Sequence, residues 1–354
     1  MRLSIYATEV TDLLVLKKRN VLYRFVVWND LHSRADLPGR PPWYPGANIR
    51  ALWARDQVLK APAERRPAFV LSAGDIIDGE IPDYNQDFRY VKETLLDPLP
   101  VPFLPCLGNH ENGQGEGIEE KNKAYDAWFG PGWHNYVFRA GGLGFVVLDT
   151  SGGHRSPDGI TEARNQFLER SLRFLKDDPI IVVSHTPLIA MREEEVLRQS
   201  FGFDSWKVQD ERLLGIVESA ADRVVAVICG HLHLSGIKEK AGIYHIMAAG
   251  TGGYPADLAS VTVYEDRIEV TIDSLPAELQ NPDANIHGRP RHPTDFTDSD
   301  HPDHESYLKG HPWERRILIP LKRSLPVSEN LLEVYHETEC GQWEKVLAFP
   351  LKDG

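Results

Sequence analysis

Hydrophobic and polar positions along this chain alternate in blocks: short apolar runs stop abruptly on polar clusters. The sharpest block is Val224-Val-Ala-Val-Ile-Cys229, followed at once by Gly230-His-Leu-His233. A short, β-branched apolar run reads as a buried strand. Successive residues of an extended chain point to opposite sides, so two histidines separated by one residue at a strand tip can serve two neighbouring metal ions. Similar blocks precede four other clusters. Residues 23–28 end at Asn29-Asp-Leu-His32, and 68–72 at Gly74-Asp-Ile-Ile-Asp78. Residues 101–107 end at Gly108-Asn-His-Glu111, and 180–183 at Ser184-His-Thr-Pro187.

Between these strands the pattern predicts helices. One runs over 48–60, capped by Asn48, with Ile49, Leu52, Trp53 and Leu59 near helical spacing. Others run over 84–96, over 161–175 with Phe167, Leu168, Leu172 and Leu175 on one face, and over 210–220. A Pro/Gly-rich loop spans 38–46. Residues 136–138 and 145–149 predict a hairpin around Gly141-Gly142, and strands are predicted at 244–248, 260–264 and 267–272, the last two antiparallel. Residues 1–20 read as a strand pair or an amphipathic lead-in. Beyond Leu275, residues 276–313 are rich in Pro, Asp and His without hydrophobic periodicity, the mark of a long loop or a partly disordered excursion. Alternation returns over 315–350, with strands expected at 316–319, 332–335 and near 346–349. No internal repeat or coiled coil is present. Alternating strands and helices argue for an α/β sandwich, which places ligands at the carboxyl ends of its strands. All five polar clusters fall there.

Composition narrows the function classes. The 354 residues include 39 basic and 52 acidic side chains, a formal net charge of -13. An acidic surface repels nucleic-acid backbones, so no nucleic-acid partner is expected, and an anionic substrate needs a local positive charge such as bound metal. Cys106, Cys229 and Cys340 have neither zinc-ribbon spacing nor a disulfide framework. The N-terminus lacks the order of a signal peptide and no run is long enough to span a bilayer. A cytoplasmic location without membrane attachment is therefore expected.

The collected clusters are Asp30/His32, Asp75/Asp78, Asn109/His110, His185 and His231/His233. Asp, His and Asn offer the oxygen and nitrogen ligands suited to zinc, manganese or iron. Seven ligating groups are too many for one tetrahedral metal, but they suit two metals sharing a carboxylate, set about 3.5–4 Å apart.

In order and spacing this set resembles the calcineurin-like metallophosphoesterase family, which carries D-x-H, G-D-x-x-D, G-N-H-(D/E), a lone H and G-H-x-H, each after a strand. The resemblance spans residues 23 to 275 and implies a four-layer α/β/β/α sandwich of two mixed sheets flanked by helices. It implies a catalytic domain over 1–275 and a C-terminal, β-rich extension over 276–354 packed on it. It also implies two divalent or mixed-valence metal ions (Mn, Fe or Zn). Asp30, His32 and His233 then hold the first, Asn109, His185 and His231 the second, and Asp75 bridges them. A metal-bound hydroxide attacks phosphorus, with Asn109 and His110 against the substrate phosphate, His110 as general acid and Asp78 orienting His110 through its carboxylate. Asn29 stands where the family often has Ser or Thr. Asp78 stands where purple acid phosphatases place a tyrosine at or near this motif, which argues against their charge-transfer iron chemistry. Leu148-Asp-Thr150, Gly159 and Gln166-Phe-Leu168 are similar, more loosely, to the cyclic-nucleotide-phosphodiesterase-like branch.

The expectation is thus a phosphoesterase acting on a small phosphorylated substrate, phosphodiester before phosphomonoester. The alternatives are a protein phosphatase or a non-catalytic scaffold on the same fold. Other features have plainer readings. Asp149 is expected in a turn, and His154 and Arg155 in a solvated loop. Gly250-Thr-Gly-Gly-Tyr254 either lines the pocket or makes a simple turn. His287, His292, His301, His304 and His311 invite a second metal site, but their irregular spacing, broken by Pro and Asp, reads as a polar excursion; the alternative is a lid over the active site or a dimer contact. Trp53, Trp128 and Trp133 read as core. The C-terminal strands either complete the sheet or exchange with a partner chain in a homodimer.

Overall fold

In the computed structural model, residues 20–79, 84–112, 118–130, 132–151, 158–202, 206–289 and 296–351 are described. Residues 1–19 of the lead-in, together with His154, Arg155 and His292, lie outside them. The strands, in chain order, are β1 (Val21–Trp28), β2 (Phe69–Ser72), β3 (Phe103–Leu104), β4 (Tyr136–Ala140), β5 (Leu143–Leu148), β6 (Ile180–Ser184) and β7 (Val224–Cys229). They continue as β8 (Gly236–Lys240), β9 (Ile243–Met247), β10 (Asp257–Tyr264), β11 (Arg267–Ser274), β12 (Arg316–Pro320), β13 (Leu331–Glu337) and β14 (Trp343–Pro350). One sheet has the order β12-β11-β10-β1-β2-β3 and the other β14-β13-β4-β5-β6-β7-β9-β8. Both are mixed: β1, β2 and β3 run parallel, as do β5, β6, β7 and β9, and antiparallel strands flank each set.

The two sheets meet face to face over an aromatic and β-branched core. Phe25 stacks on Phe69 at 4.8 Å within one sheet, Phe138 on Phe145 at 4.2 Å within the other, and Phe25 meets Phe145 edge-on at 5.6 Å across the gap. Such pairs add about 0.5–1.5 kcal/mol each beyond the area they bury. Helices Ala47–Lys60 and Tyr84–Val91 cover the outer face of the first sheet. Helices Asp158–Phe174 and Glu211–Ser219 cover the second, giving the four-layer α/β/β/α arrangement. β5, β6 and β7 are buried at every residue, which is why they read as unbroken apolar runs rather than as alternation.

Three expectations are corrected. Asn48 does not cap the first helix. Its side chain accepts from Arg34 N at 3.0 Å and donates to Arg34 O at 2.9 Å, and Gly46, left-handed at φ 81°, stands at the cap. That helix packs through Ala47, Arg50, Ala51, Ala54 and Val58, whereas Ile49 is 63% exposed and Leu59 36%. Small side chains let it lie close to the sheet, so the largest apolar residues do not mark its buried face. β8 is an additional strand: three of its five residues are exposed at a sheet edge, which leaves no apolar run to announce it.

The C-terminal strands pair within the chain, β12 on β11 and β13 on β4, so residues beyond 315 extend both sheets. The excursion before them, expected as a long loop, carries a short helix (His304–Lys309) and single 3-10 turns at Ala277–Leu279 and Pro312–Glu314, and its described parts are packed. Ala284, Ile286, Phe296, Tyr307 and Leu308 are buried with Leu232, Leu234 and Tyr254 at the sheet ends that carry the polar clusters.

Candidate metal centre

The loops after β1 and β2 stay zipped together beyond the end of their strands. Asp30 N donates to Gly74 O, His32 N to Asp75 O and Asp78 N to Ser33 O, at 2.9–3.1 Å. On the other sheet, Gly230 N donates to His185 O at 2.9 Å. Glu111, fully buried, locks the set from below. Its carboxylate accepts from the backbone N–H of Asp75, Ile76, Ile77 and Gly108 at 2.8–3.0 Å. Burial, and then the charge of Asp75, push its pKa up to about 7.

Asp30, His32, Asp75, His231 and His233 all have positive φ, between 47° and 79°. Non-glycine residues rarely adopt this conformation, and they do so at functional sites. Neighbouring glycines let the loops close: a Cβ on Gly108 would lie 2.1 Å from Asp75 Oδ1, and one on Gly230 2.5 Å from Asp30 Oδ2.

All seven predicted ligands come together here as two groups. In the first, His233 Nε2 lies 2.9 Å from His32 Nε2 and 3.3 Å from Asp30 Oδ1. In the second, His185 Nε2 lies 2.9 Å from Asn109 Oδ1 and 3.1 Å from Asp75 Oδ2, and His231 Nδ1 lies 2.8 Å from the same Asn109 oxygen. Asp75 Oδ2 is also 3.9 Å from His32 Nε2, so one carboxylate oxygen faces both groups.

The chemistry of these contacts tests whether metal fits. His185 Nδ1 faces the Ala73 carbonyl at 2.8 Å and His233 Nδ1 faces the Ile286 carbonyl at 2.6 Å. Those nitrogens must carry the hydrogens, which leaves each Nε2 presenting a lone pair to other acceptors. Such an arrangement demands positive charge between the groups. A proton on His185 meets part of the demand: burial lowers its pKa, but the Asp75 charge overrides this and pushes it up to about 9. Burial would raise Asp75, yet His185 and His110 hold it well below the usual carboxylate range. Burial, then His110 and His233, hold His32 well below an ordinary histidine. Two divalent cations satisfy the whole donor set, and the backbone carbonyls behind His185 and His233 are the supports that ligating imidazoles normally have.

His110 sits beside this centre. Its backbone N–H donates to Asp75 Oδ1 at 2.8 Å, and its Nδ1 faces the Asp78 backbone carbonyl at 2.5 Å. The expected role of the Asp78 carboxylate is corrected by this geometry. That carboxylate makes a buried ion pair with Arg34 at 2.9 Å, and residue 78 orients His110 through its main chain instead. Asp149 lies in a turn, accepting from Ser151 N at 3.0 Å. Gly252 lines the centre, its Cβ position 2.7 Å from His32 Cδ2, whereas the Tyr254 hydroxyl is turned away to Glu305 at 2.8 Å. The His287 ring, from the excursion for which a lid was the alternative reading, packs edge-on against His233 at 5.7 Å. Sequence reasoning passed over Tyr44, whose ring stacks on His32 at 3.7 Å, and Ile286, whose carbonyl faces His233. No spacing rule connects residues 44 and 286 to strand-tip ligands. For Glu111 a signal existed, its place directly after His110.

Comparison with known proteins agrees with this geometry. The family model for calcineurin-like phosphoesterase matches residues 23–235. A probable glycerophosphodiester phosphodiesterase from Arcobacter nitrofigilis is 30% identical over 169 residues, covering 48% of this chain and 57% of its own length. A probable cyclic nucleotide phosphodiesterase from Rhodococcus erythropolis is 24% identical over 209 residues, covering 58% of this chain and 61% of its own. The chain thus spans about three-fifths of the length of these two relatives. A dimetal phosphatase from Danio rerio superposes with a TM-score of 0.52 at 19% identity, over 72% of this chain and 98% of its own, which shows a shared fold. The chain belongs to the calcineurin-like phosphoesterase family.

Proposed function

We propose that this calcineurin-like phosphoesterase is a dinuclear metal-dependent hydrolase of phosphate esters, with phosphodiesters preferred. The observation that carries the reading is the convergence of seven oxygen and nitrogen donors on two adjoining positions that share Asp75 Oδ2. Asp30, His32 and His233 would hold one ion, Asn109, His185 and His231 the other, and Asp75 both. When bound, such a pair supplies Lewis-acid charge for the phosphoryl oxygens and makes water a nucleophile near neutral pH. The identity of the ions, among Mn, Fe and Zn, is set by supply and affinity.

The chain's own residues do the rest. Asn109 and His110, the first two residues of a short helix beside the centre, would orient the phosphate. With Nδ1 committed to the Asp78 carbonyl, Nε2, 3.5 Å from the Tyr44 hydroxyl, is the nitrogen that would hold a proton for the leaving oxygen. Glu111 keeps the loops carrying Asp75 and His110 in register and does not touch substrate.

Diester preference is supported by the names of the two relatives, both phosphodiesterases, and a small substrate by the walls of the centre. Tyr44 closes one side, and the 286–287 turn, with Ile286 O on His233, closes another. The test is turnover of bis(p-nitrophenyl) phosphate against p-nitrophenyl phosphate by metal-stripped protein reloaded with manganese. The diester is expected to be the better substrate by kcat/KM. Preference for the monoester would move the assignment to a phosphatase. Turnover of neither, with both ions bound, would point to a scaffold or to a substrate unlike both probes.

A further inference from the structure

His185 and His233 have the nitrogen remote from the centre tied to a backbone carbonyl, and His32 does not. Its Nδ1 is buried without a hydrogen-bond partner among the described residues. Something other than a hydrogen bond must therefore fix this ring. The Tyr44 ring lies over one face at 3.7 Å between centroids, with an interplanar angle of 13°. The Gly252 backbone packs so close to the ring that a Cβ there would come within 2.7 Å of His32 Cδ2. These two walls come from loops more than two hundred residues apart, and one side chain joins them. Arg50, buried, donates from Nε to Thr251 O at 2.6 Å, and from Nη2 to Gly252 O at 2.7 Å and Pro45 O at 3.1 Å. Residues 251–252 and 44–45 are thereby held at a set distance, and no other side chain among the described residues is seen to bond both.

We propose that Tyr44 and Gly252, cross-braced by Arg50, form a clamp that positions His32 by packing, in place of the hydrogen bond its two counterparts have. The inference rests on the dinuclear reading and assigns three positioning residues to it. A support of this kind behind a metal ligand is typically worth about 10–100-fold in metal affinity. The flat face of the Tyr44 ring carries the effect, because its hydroxyl points elsewhere, 3.5 Å from His110 Nε2. Arg50 acts through geometry: all of its bonds go to main-chain oxygens, which a lysine in its place can satisfy only one or two at a time.

The experiment is calorimetric titration of metal-free protein with Mn²⁺, comparing wild type with Tyr44→Phe, Tyr44→Leu and Arg50→Lys. Thermal unfolding of each metal-free variant confirms that it is folded. Wild type is expected to take up two ions. Tyr44→Phe keeps the stacked face and should bind within about threefold of wild type. Tyr44→Leu loses the face and should weaken the ion held by His32 by about 10–100-fold, with the ion held by His185 and His231 less affected. Arg50→Lys should show a smaller loss of the same site. If Tyr44→Leu binds both ions as tightly as wild type, the clamp is wrong. It is equally wrong if Tyr44→Phe loses as much as Tyr44→Leu, since the hydroxyl would then carry the effect. Failure of the wild-type protein to bind a pair of ions would instead sink the dinuclear reading itself, a different result from either.

Discussion

Around His301 one imidazole lies between two carboxylates, and around Asp75 seven oxygen and nitrogen donors gather on adjoining loops. The His301 ring, 4% exposed, lies between Asp298 Oδ1 at 2.9 Å and Glu314 Oε2 at 2.7 Å. The His311 backbone N–H donates to the same Glu314 oxygen at 2.7 Å, and the His311 Nε2 faces the Asp300 carbonyl at 2.8 Å. Arg192, 3.6 Å from the other Glu314 oxygen, adds positive charge. His301, His311 and Glu314 bring their donor atoms within 4.8 Å of one another, as do Asp30, His32 and His233, then His32, Asp78 and His110, then Asp75, His185 and His231. Proximity alone does not separate the clusters. What separates them is arrangement: the His301 cluster is one group of three beside the Arg192 guanidinium, whereas at the Asp75 centre several adjoining groups meet and one carboxylate oxygen faces histidines of two of them. Backbone strain divides them in the same way. Asp30, His32, Asp75, His231 and His233 are left-handed, and no residue of the His301 cluster is.

That contrast can be broken at either end. The largest effect is expected at the shared carboxylate: Asp75→Asn should lower kcat/KM for the diester probe by on the order of 10³-fold, because one change removes charge from both ion positions. Steady-state kinetics in saturating manganese checks it, and a loss under tenfold would put Asp75 outside the centre. Next is His110→Ala, which should cost about 10²-fold in kcat while the protein keeps its metal, as measured by elemental analysis of the same sample. Loss of metal in that variant would mean that His110 is a ligand. At the other cluster, His301→Ala should leave metal content and turnover unchanged but destabilise the fold by about 3 kcal/mol, since it leaves buried carboxylates without their partner. Urea unfolding measures this, and a fall in metal content would show that the second cluster binds metal after all. The smallest effect belongs to His311→Ala, about 1 kcal/mol, for a part-buried ring stacked on Trp313 at 4.3 Å.

The parts legible from sequence are those in which one local pattern sets both structure and chemistry. An apolar run that stops on Asp-x-His or Gly-His-x-His reports the strand, its end and the ligands together, so the seven metal-facing residues and the sandwich could be read before any coordinates. Asp78 shows where that reading ends. Its place in the motif was visible, but its carboxylate partner, Arg34, comes from a different loop, and only the fold brings them to 2.9 Å. Tyr44 and Arg50 were invisible for the same reason: they reach His32 and the 251–252 turn from far along the chain, through stacking and main-chain bonds that no spacing encodes, and Gly252 was visible only as part of a stretch with two open readings. The first helix failed differently, because residue size pointed to Ile49 while close packing selected Ala51 and Ala54. Residues 276–313 read as a polar excursion because their apolar residues are scattered, yet Ile286 and Tyr307 are buried and the Ile286 carbonyl supports His233.

The central claim is that adjoining donor groups sharing one carboxylate on left-handed backbone, not closeness of histidines, mark the metal centre, and it is tested most directly by counting bound ions. Manganese stoichiometry should be determined by calorimetry for the wild type, Asp75→Asn and His301→Ala. Two ions for the wild type, two for His301→Ala and weakened binding at both positions for Asp75→Asn are the results expected. One ion for the wild type, an ion lost with His301, or an Asp75→Asn variant in which only one position weakens would contradict the account.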